Sequence, residues 1–155
     1  MFPLLFTMID ISNKDTILRI GKASGMITLK EDTISRIKNQ EVEKGDVFSV
    51  AKISAINAVK KVPELIPFCH PIPITKVNVE FEYVGENTIK AECEVKSIGK
   101  TGVEMEALTG VSSALLNIWD VVKMYEKDSN GQYPSTLISD IKVEEKIKTT
   151  LENER

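Results

Sequence analysis

The chain has little of what usually marks a metal centre or a secreted scaffold: two cysteines, one histidine and no strong charge surplus in 155 residues. Cys69 and Cys93 build neither a disulfide framework nor a zinc site of recognisable spacing, and the lone His70 adds no ligand pair. Such cysteine usage fits a reducing compartment. Long apolar runs are missing too. Nothing approaches the ~20 apolar residues of a spanning helix, and the apolar start Met1–Phe6 lacks the basic flank and long core of a signal peptide. A net charge of −3 is not the basic surplus of a nucleic-acid binder. The expectation is a cytoplasmic protein with no membrane or nucleic-acid partner, no metal and no cofactor. The length favours one domain that buries roughly two-thirds of its unfolded surface without covalent staples. Residues 1–13 read as a flexible arm and 14–155 as a single catalytic domain.

What is present reads as alternating elements. Residues 16–29 form a long strand, with Gly21 and Gly25 as bulges or bends. A short helix follows at about 32–39. Lys44-Gly45-Asp46 makes a stop and a new start, with Asp46 as N-cap of a helix from Val47 to Val62. Its Phe48, Ala51, Ala55, Ala58 and Val62 recur at spacings of three and four. Pro63 to Pro73 holds four of the six prolines and reads as a stiff extended connection. Val77, Val79, Phe81 and Tyr83 alternate with Lys76, Asn78, Glu80 and Glu82. After a turn at Gly85-Glu86-Asn87, Ile89, Ala91, Cys93 and Val95 alternate back, giving a hairpin with one wet face. Thr101 is placed to cap a helix reaching about Lys127, with an apolar stripe from Leu108 to Tyr125. Leu137, Ser139, Ile141 and Val143 suggest a last strand. The order predicts an α+β, ferredoxin-like antiparallel sheet of about four strands with helices packed on one face.

Four local features carry chemical interest, each with a plainer alternative. His70 sits between Pro67 and Pro71 on stiff backbone, a good place to fix a polar group, yet a single histidine is more often merely hydrogen-bonded. Gly99-Lys100-Thr101-Gly102 leads into a helix N-terminus, where free N–H groups favour anions; its spacing is not that of a P-loop, and an ordinary strand-to-helix turn explains it as well. Asp120 and Lys123 stand three apart on one helix face, which by itself is an exposed pair of small value. Lys44 beside Gly45 suits a phosphate contact or a solvated turn. Glu106 and Asp120 point the same way on the helix but lie ~21 Å apart along it. One compact site within one chain cannot use both, so either the ligand is long or two subunits share each site.

Together these segments resemble the cyclic pyranopterin monophosphate synthases, the molybdenum cofactor biosynthesis protein C family. The resemblance rests on Met8-Ile9-Asp10-Ile11-Ser12-Asn13-Lys14, Lys44-Gly45-Asp46-Val47, Glu64–Pro71, Lys100–Thr109 and Ile118–Lys123. It implies a lyase that converts 3′,8-cyclo-7,8-dihydro-GTP to cyclic pyranopterin monophosphate and pyrophosphate, and a homohexamer built from dimers with sites at subunit interfaces. It implies Lys44, Asp120 and Lys123 as the catalytic set. Phe68, Cys69, His70, Met105 and Glu106, with Glu104 beside them, would bind substrate, and Arg19 would lie near the phosphates. The chemistry opens the guanine five-membered ring, rebuilds a pterin and closes a cyclic phosphate. Lysines of lowered pKa serve the proton transfers such steps need.

The sequence departs from the family pattern at Phe68 (usually leucine), Trp119 (usually tyrosine), Lys52 (often arginine) and Ala55 (often glycine). The Gly-Gly-Lys-Ser-Gly loop near the end of many relatives is replaced by Ile138–Lys146, leaving open whether Lys142, Lys146 or Lys148 substitutes. The rival reading is a non-catalytic nucleotide-binding regulatory domain of the same fold. It has no need of the combined Lys44, His70, Asp120 and Lys123.

Overall fold

The computed structural model describes residues 4 and 6–151. Residues 1–3 and 5 of the expected arm, and 152–155 of the expected domain, lie outside the described residues. In chain order the elements are β1 (Ile17–Thr28), α1 (Glu31–Lys38), α2 (Val47–Val59), α3 (Val62–Leu65), β2 (Ile74–Val84), β3 (Thr88–Gly99), α4 (Glu104–Glu126) and β4 (Leu137–Thr149). The strands order as β2-β3-β1-β4, every neighbour antiparallel. This is the expected ferredoxin-like arrangement.

Period-two patterning sorts the hairpin. Ile89, Ala91, Cys93 and Val95 are fully buried under the helices. The opposite face carries charge, with Lys22 at 3.1 Å and Lys90 at 2.8 Å from the two Glu92 oxygens. α2 buries Val47, Ala51, Ala55 and Val59 and packs against α4. The small alanines one turn apart leave room for that approach.

α4 lies on β1, and the strand's two glycines make this possible. A Cβ at Gly21 would stand 3.0 Å from the Val103 backbone, and one at Gly25 would meet Leu115 Cδ1 at 2.8 Å. The expectation of bulges there was half right. β1 pairs with β3 without interruption, but its register with β4 shifts between Lys22 and Ala23 and again between Ser24 and Met26. The extra residues belong to β4, where Asp140 has φ 55°. They break the simple alternation expected from Leu137 to Val143, and β4 runs on to Thr149.

Three further boundaries move. α2 stops at Val59 rather than Val62. The proline segment opens with one helical turn, α3, in which Pro63 occupies a first-turn position that needs no donor. Thr101 does not cap α4: Val103 does, without a side-chain bond, and the helix starts at Glu104.

The apolar stripe of α4 ends on a residue that the sequence pattern passes over. Glu126 is fully buried. Its carboxylate accepts from the Lys30 backbone N–H at 3.1 and 3.2 Å, from the Thr136 hydroxyl at 2.7 Å and from the Thr33 hydroxyl. Lys30, the N-cap of α1, has no side-chain cap of its own, so Glu126 supplies one from another element. Glu126→Ala leaves these donors buried and unpaired and is expected to cost about 3 kcal/mol, read as a fall in the denaturant midpoint at unchanged slope.

Candidate active site

A cavity of about 390 Å³ opens where three segments meet. The loop after α3 supplies Phe68, Cys69 and His70, and the start of α4 supplies Thr101, Gly102, Glu104, Met105 and Glu106. Thr7, Ile9, Ile11 and Lys14 of the arm form the remaining wall. Cys69 N–H donates to Ile66 O at 3.0 Å, closing the loop into a turn, and Pro71 keeps His70 extended. A hollow of about 400 Å³ between α2 and β2, walled by the stacked Phe48 and Phe81, contains none of the candidate catalytic or substrate-binding residues.

The arm is tied to this cavity. His70 Nε2 lies 2.6 Å from Ile9 O, and because a carbonyl only accepts, Nε2 carries the proton. Lys100 donates to Ser12 O at 2.8 Å, and Asp10 accepts from the Ser12 backbone and hydroxyl in a tight turn. Those two bonds from Ser12 hold the Asp10 carboxyl below the usual range. Arg19 is buried behind the wall rather than on it. Its Nε donates to Gly99 O at 2.9 Å and a terminal nitrogen to Asp15 O at 3.4 Å, bracing the loop that leads into α4.

Two carboxyls on the first turn of α4 are pushed apart. Glu106 is 3% exposed and has no ion-pair partner among the described residues. Burial pushes its carboxyl up, and the nearby Glu104 adds to this. Burial also works against charge on Glu104, yet the Lys146 ammonium, 2.5 Å from Oε1 and with Lys148 behind it, holds that carboxyl below the usual range. Burial, then Glu106, raises the Cys69 thiol. Neighbouring acids driven in opposite directions are what acid–base chemistry near neutral pH requires.

Lys44, Asp120 and Lys123 come together elsewhere. Gly45, at φ 109°, turns the chain ahead of α2, and Asp46 caps that helix by accepting from Phe48 N at 3.1 Å, as its position predicted. Lys44 Nζ then reaches Asp120 O at 3.0 Å and Oδ2 at 3.4 Å, while Lys123 Nζ lies 2.8 Å from Oδ1. The hydrogen bond from Lys123 and the charges of both lysines lower the Asp120 carboxyl, and Asp120 in turn raises Lys123. The expected lowering of Lys123 is therefore not found in this state: its neighbours are an acid and a lysine that shares it. All three side chains are at least 40% exposed, so salt screens the cluster.

None of the three lines the cavity. Asp120 is fourteen residues from Glu106, ~21 Å along α4. The flank of α4 between them is open at Leu116, which is 60% exposed, and Met105, just ahead of Glu106, is 40% exposed; Ile141 and Val143 of β4 lie exposed as well.

Residues 8–149 match the model of the MoaC family. The chain belongs to the MoaC family. A protein of Methanococcoides burtonii named probable cyclic pyranopterin monophosphate synthase is 57% identical over 147 residues, covering 95% of this chain and 92% of its own. One of Archaeoglobus fulgidus with the same name is 59% identical, covering 91% and 90%, and one of Pyrococcus abyssi is 56% identical, covering 92% and 89%. The MoaC match begins at Met8, inside the arm, and so takes in Ile9, Ile11 and Lys14 of the cavity wall. The sequence reading used that run only for resemblance; its Asp-x-Ser turn and Lys14 were the available signals.

Glu106 ties this MoaC site to stability. A carboxyl raised on folding contributes stability that is fully present below its unfolded value and lost as pH rises through its folded value. Glu106→Gln is therefore expected to melt higher than the parent at pH 7, with the gap narrowing as pH falls and closed below about 4.5, where both folded and unfolded chains hold the proton. Paired melting curves across that range check it.

Proposed function

We propose that this chain is a cyclic pyranopterin monophosphate synthase, a pyrophosphate-releasing lyase of molybdenum cofactor biosynthesis acting in the cytoplasm on 3′,8-cyclo-7,8-dihydro-GTP. The names and coverage of its relatives support the reaction. The observation that carries the site is the pairing of a buried carboxyl, an imidazole donating from Nε2 and a helix start at one end of α4 with a lysine–aspartate–lysine cluster at the other.

In this reading Phe68, Cys69, His70, Glu104, Met105 and Glu106 hold the purine-derived part of the substrate, and Arg19 keeps the phosphate-side loop in place. Asp120, Lys44 and Lys123 do the proton work. A nucleotide that displaces Asp120 from Lys123 removes the cause of that lysine's raised pKa and makes it a readier acid. Ammonium groups also offset charge on the departing pyrophosphate.

The two halves meet in a homohexamer built from dimers. Two copies of α4 crossing antiparallel about a two-fold axis near Ser113, midway between Glu106 and Asp120, set the cluster of each subunit beside the cavity of the other. The open flank with Leu116 and Met105 is then covered.

The purified protein, given 3′,8-cyclo-7,8-dihydro-GTP without oxygen, is expected to release pyrophosphate and yield the fluorescent oxidised pterin. Lys44→Ala, Asp120→Ala and Lys123→Ala should each lower kcat at least about 100-fold while folding normally. Nucleotide binding without pyrophosphate release would instead favour the regulatory-domain reading. A mixture of Lys123→Ala and Glu106→Ala subunits, co-refolded, should recover about a quarter of wild-type turnover, since half of the dimers then hold one intact site. No recovery would place each site within one chain.

A further inference from the structure

We infer that Lys146 is a positioning residue of this site, fixing the Glu104 carboxylate on the cavity wall; the inference rests on the reaction proposed above. It starts from β4. Val143 lies opposite Ala23, and the next pairs are Glu145 with Lys22 and Lys146 with Gly21. Glu144 is therefore one residue too many. A single extra residue turns every later side chain to the other face of the sheet. Glu144 and Glu145 both fall on the outer face, where Glu144 accepts from the Ser24 hydroxyl at 2.5 Å. Lys146 and Lys148 are thereby sent to the face on which α4 lies. Unbroken alternation from Val143 would have aimed Glu145 and Ile147 there instead.

The partner is prepared by two glycines. Gly21, opposite Lys146, lets the Val103 backbone come within 3.0 Å of where its Cβ would stand, so the first turn of α4 lands beside β4. A Cβ at Gly102 would overlap the Glu104 carboxylate, which folds back over that glycine. The result is an ion pair of 2.5 Å between Lys146 Nζ and Glu104 Oε1. Its angles are not those of a hydrogen bond, and Oε1, shielded from water, has no hydrogen-bond donor.

Exposed pairs contribute little, but the Glu104 side chain is only 19% exposed. The Lys146 side chain is 48% exposed, so removing it strands one sheltered carboxylate rather than half of a fully buried pair. The titratable and charged groups facing Glu104 are Lys146 and Lys148 from β4, Glu106 from its own helix and, across the cavity, Lys14 of the arm with Cys69 and His70 of the loop after α3. Of these, Lys146 alone touches it. Without Lys146 the carboxyl takes up a proton or swings into the cavity, and either change alters the wall on which the substrate rests. The other lysine of the strand, Lys142, turns outward to Glu144 at 3.8 Å.

The test compares Lys146→Met, Lys146→Arg and Lys148→Met in the full-length protein. Lys146→Met is expected to lower kcat/KM about tenfold at pH 7, the lower end of what an unpaired sheltered charge costs. It should also move the acid limb of the pH profile upward. Arg at 146 should restore both, and Lys148→Met should change them less. A profile for Lys146→Met that overlays the parent, or falls equally at every pH, overturns the inference. Titration of the Glu104 carboxyl by carbon NMR in the same folded variants is independent of turnover. Its midpoint rises in Lys146→Met if the inference holds and stays put if it fails. A wild-type protein without turnover removes the proposed reaction, and the NMR midpoint then decides the role of Lys146 by itself.

Discussion

Two residues without side chains, Gly21 and Gly25, let a 23-residue helix lie against β1 at a distance that any Cβ would forbid. Much else depends on that contact. It fixes where α4 begins, and hence which residues enter the cavity. It spreads the functional groups along one rigid rod, with the acids of the first turn at one end and Asp120 and Lys123 at the other. It also leaves the helix flank away from α2 uncovered. At the far end Glu126 fastens the rod by joining α4 to the start of α1 and to Thr136 ahead of β4. A helix anchored along its length and at its end moves as a unit, and the groups on it keep their spacing.

The two ends differ in their electrostatics. The lysine–aspartate–lysine cluster is wet, and its charges compensate one another in a high-dielectric setting. The first turn is sheltered, with one carboxyl paired from β4 and its neighbour without an ion-pair partner among the described residues. An uncompensated buried acid is unfavourable for folding and persists where chemistry or binding requires it. The cost of burying charge therefore falls at the cavity and not at the cluster.

Most of the architecture was readable because it rests on periodicity. The hairpin alternates cleanly, and the stripe of α4 repeats at helical spacing. Asp46, between α1 and α2, is a cap that any reading of helix-start signals would find. The site residues lay in runs whose order of residue types was itself informative. What could not be read depends on geometry between elements. Glu126 looks like the solvated end of a helix until a threonine and an N–H from α1 are placed beside it. Thr101 has the right side chain for a cap, but the seat of Val103 on Gly21 sets the helix start two residues further on. The inserted residues of β4 leave no compositional trace. Arg19 carries the charge of a phosphate ligand, and only its bond to Gly99 O reveals a brace.

β4 is also a boundary of the molecule. As the last strand of the order β2-β3-β1-β4 it presents an unpaired rim, the kind of edge on which another extended chain can build. Its two register shifts, the left-handed Asp140 and the run of lysines and glutamates from Lys142 to Lys148 spoil that template. The irregularity that redirects Lys146 thus also guards the protein against fibrillar growth from its own sheet. Deleting Glu144 would straighten this stretch of the edge while leaving Lys146 opposite Gly21, and so would remove the guard without moving the lysine.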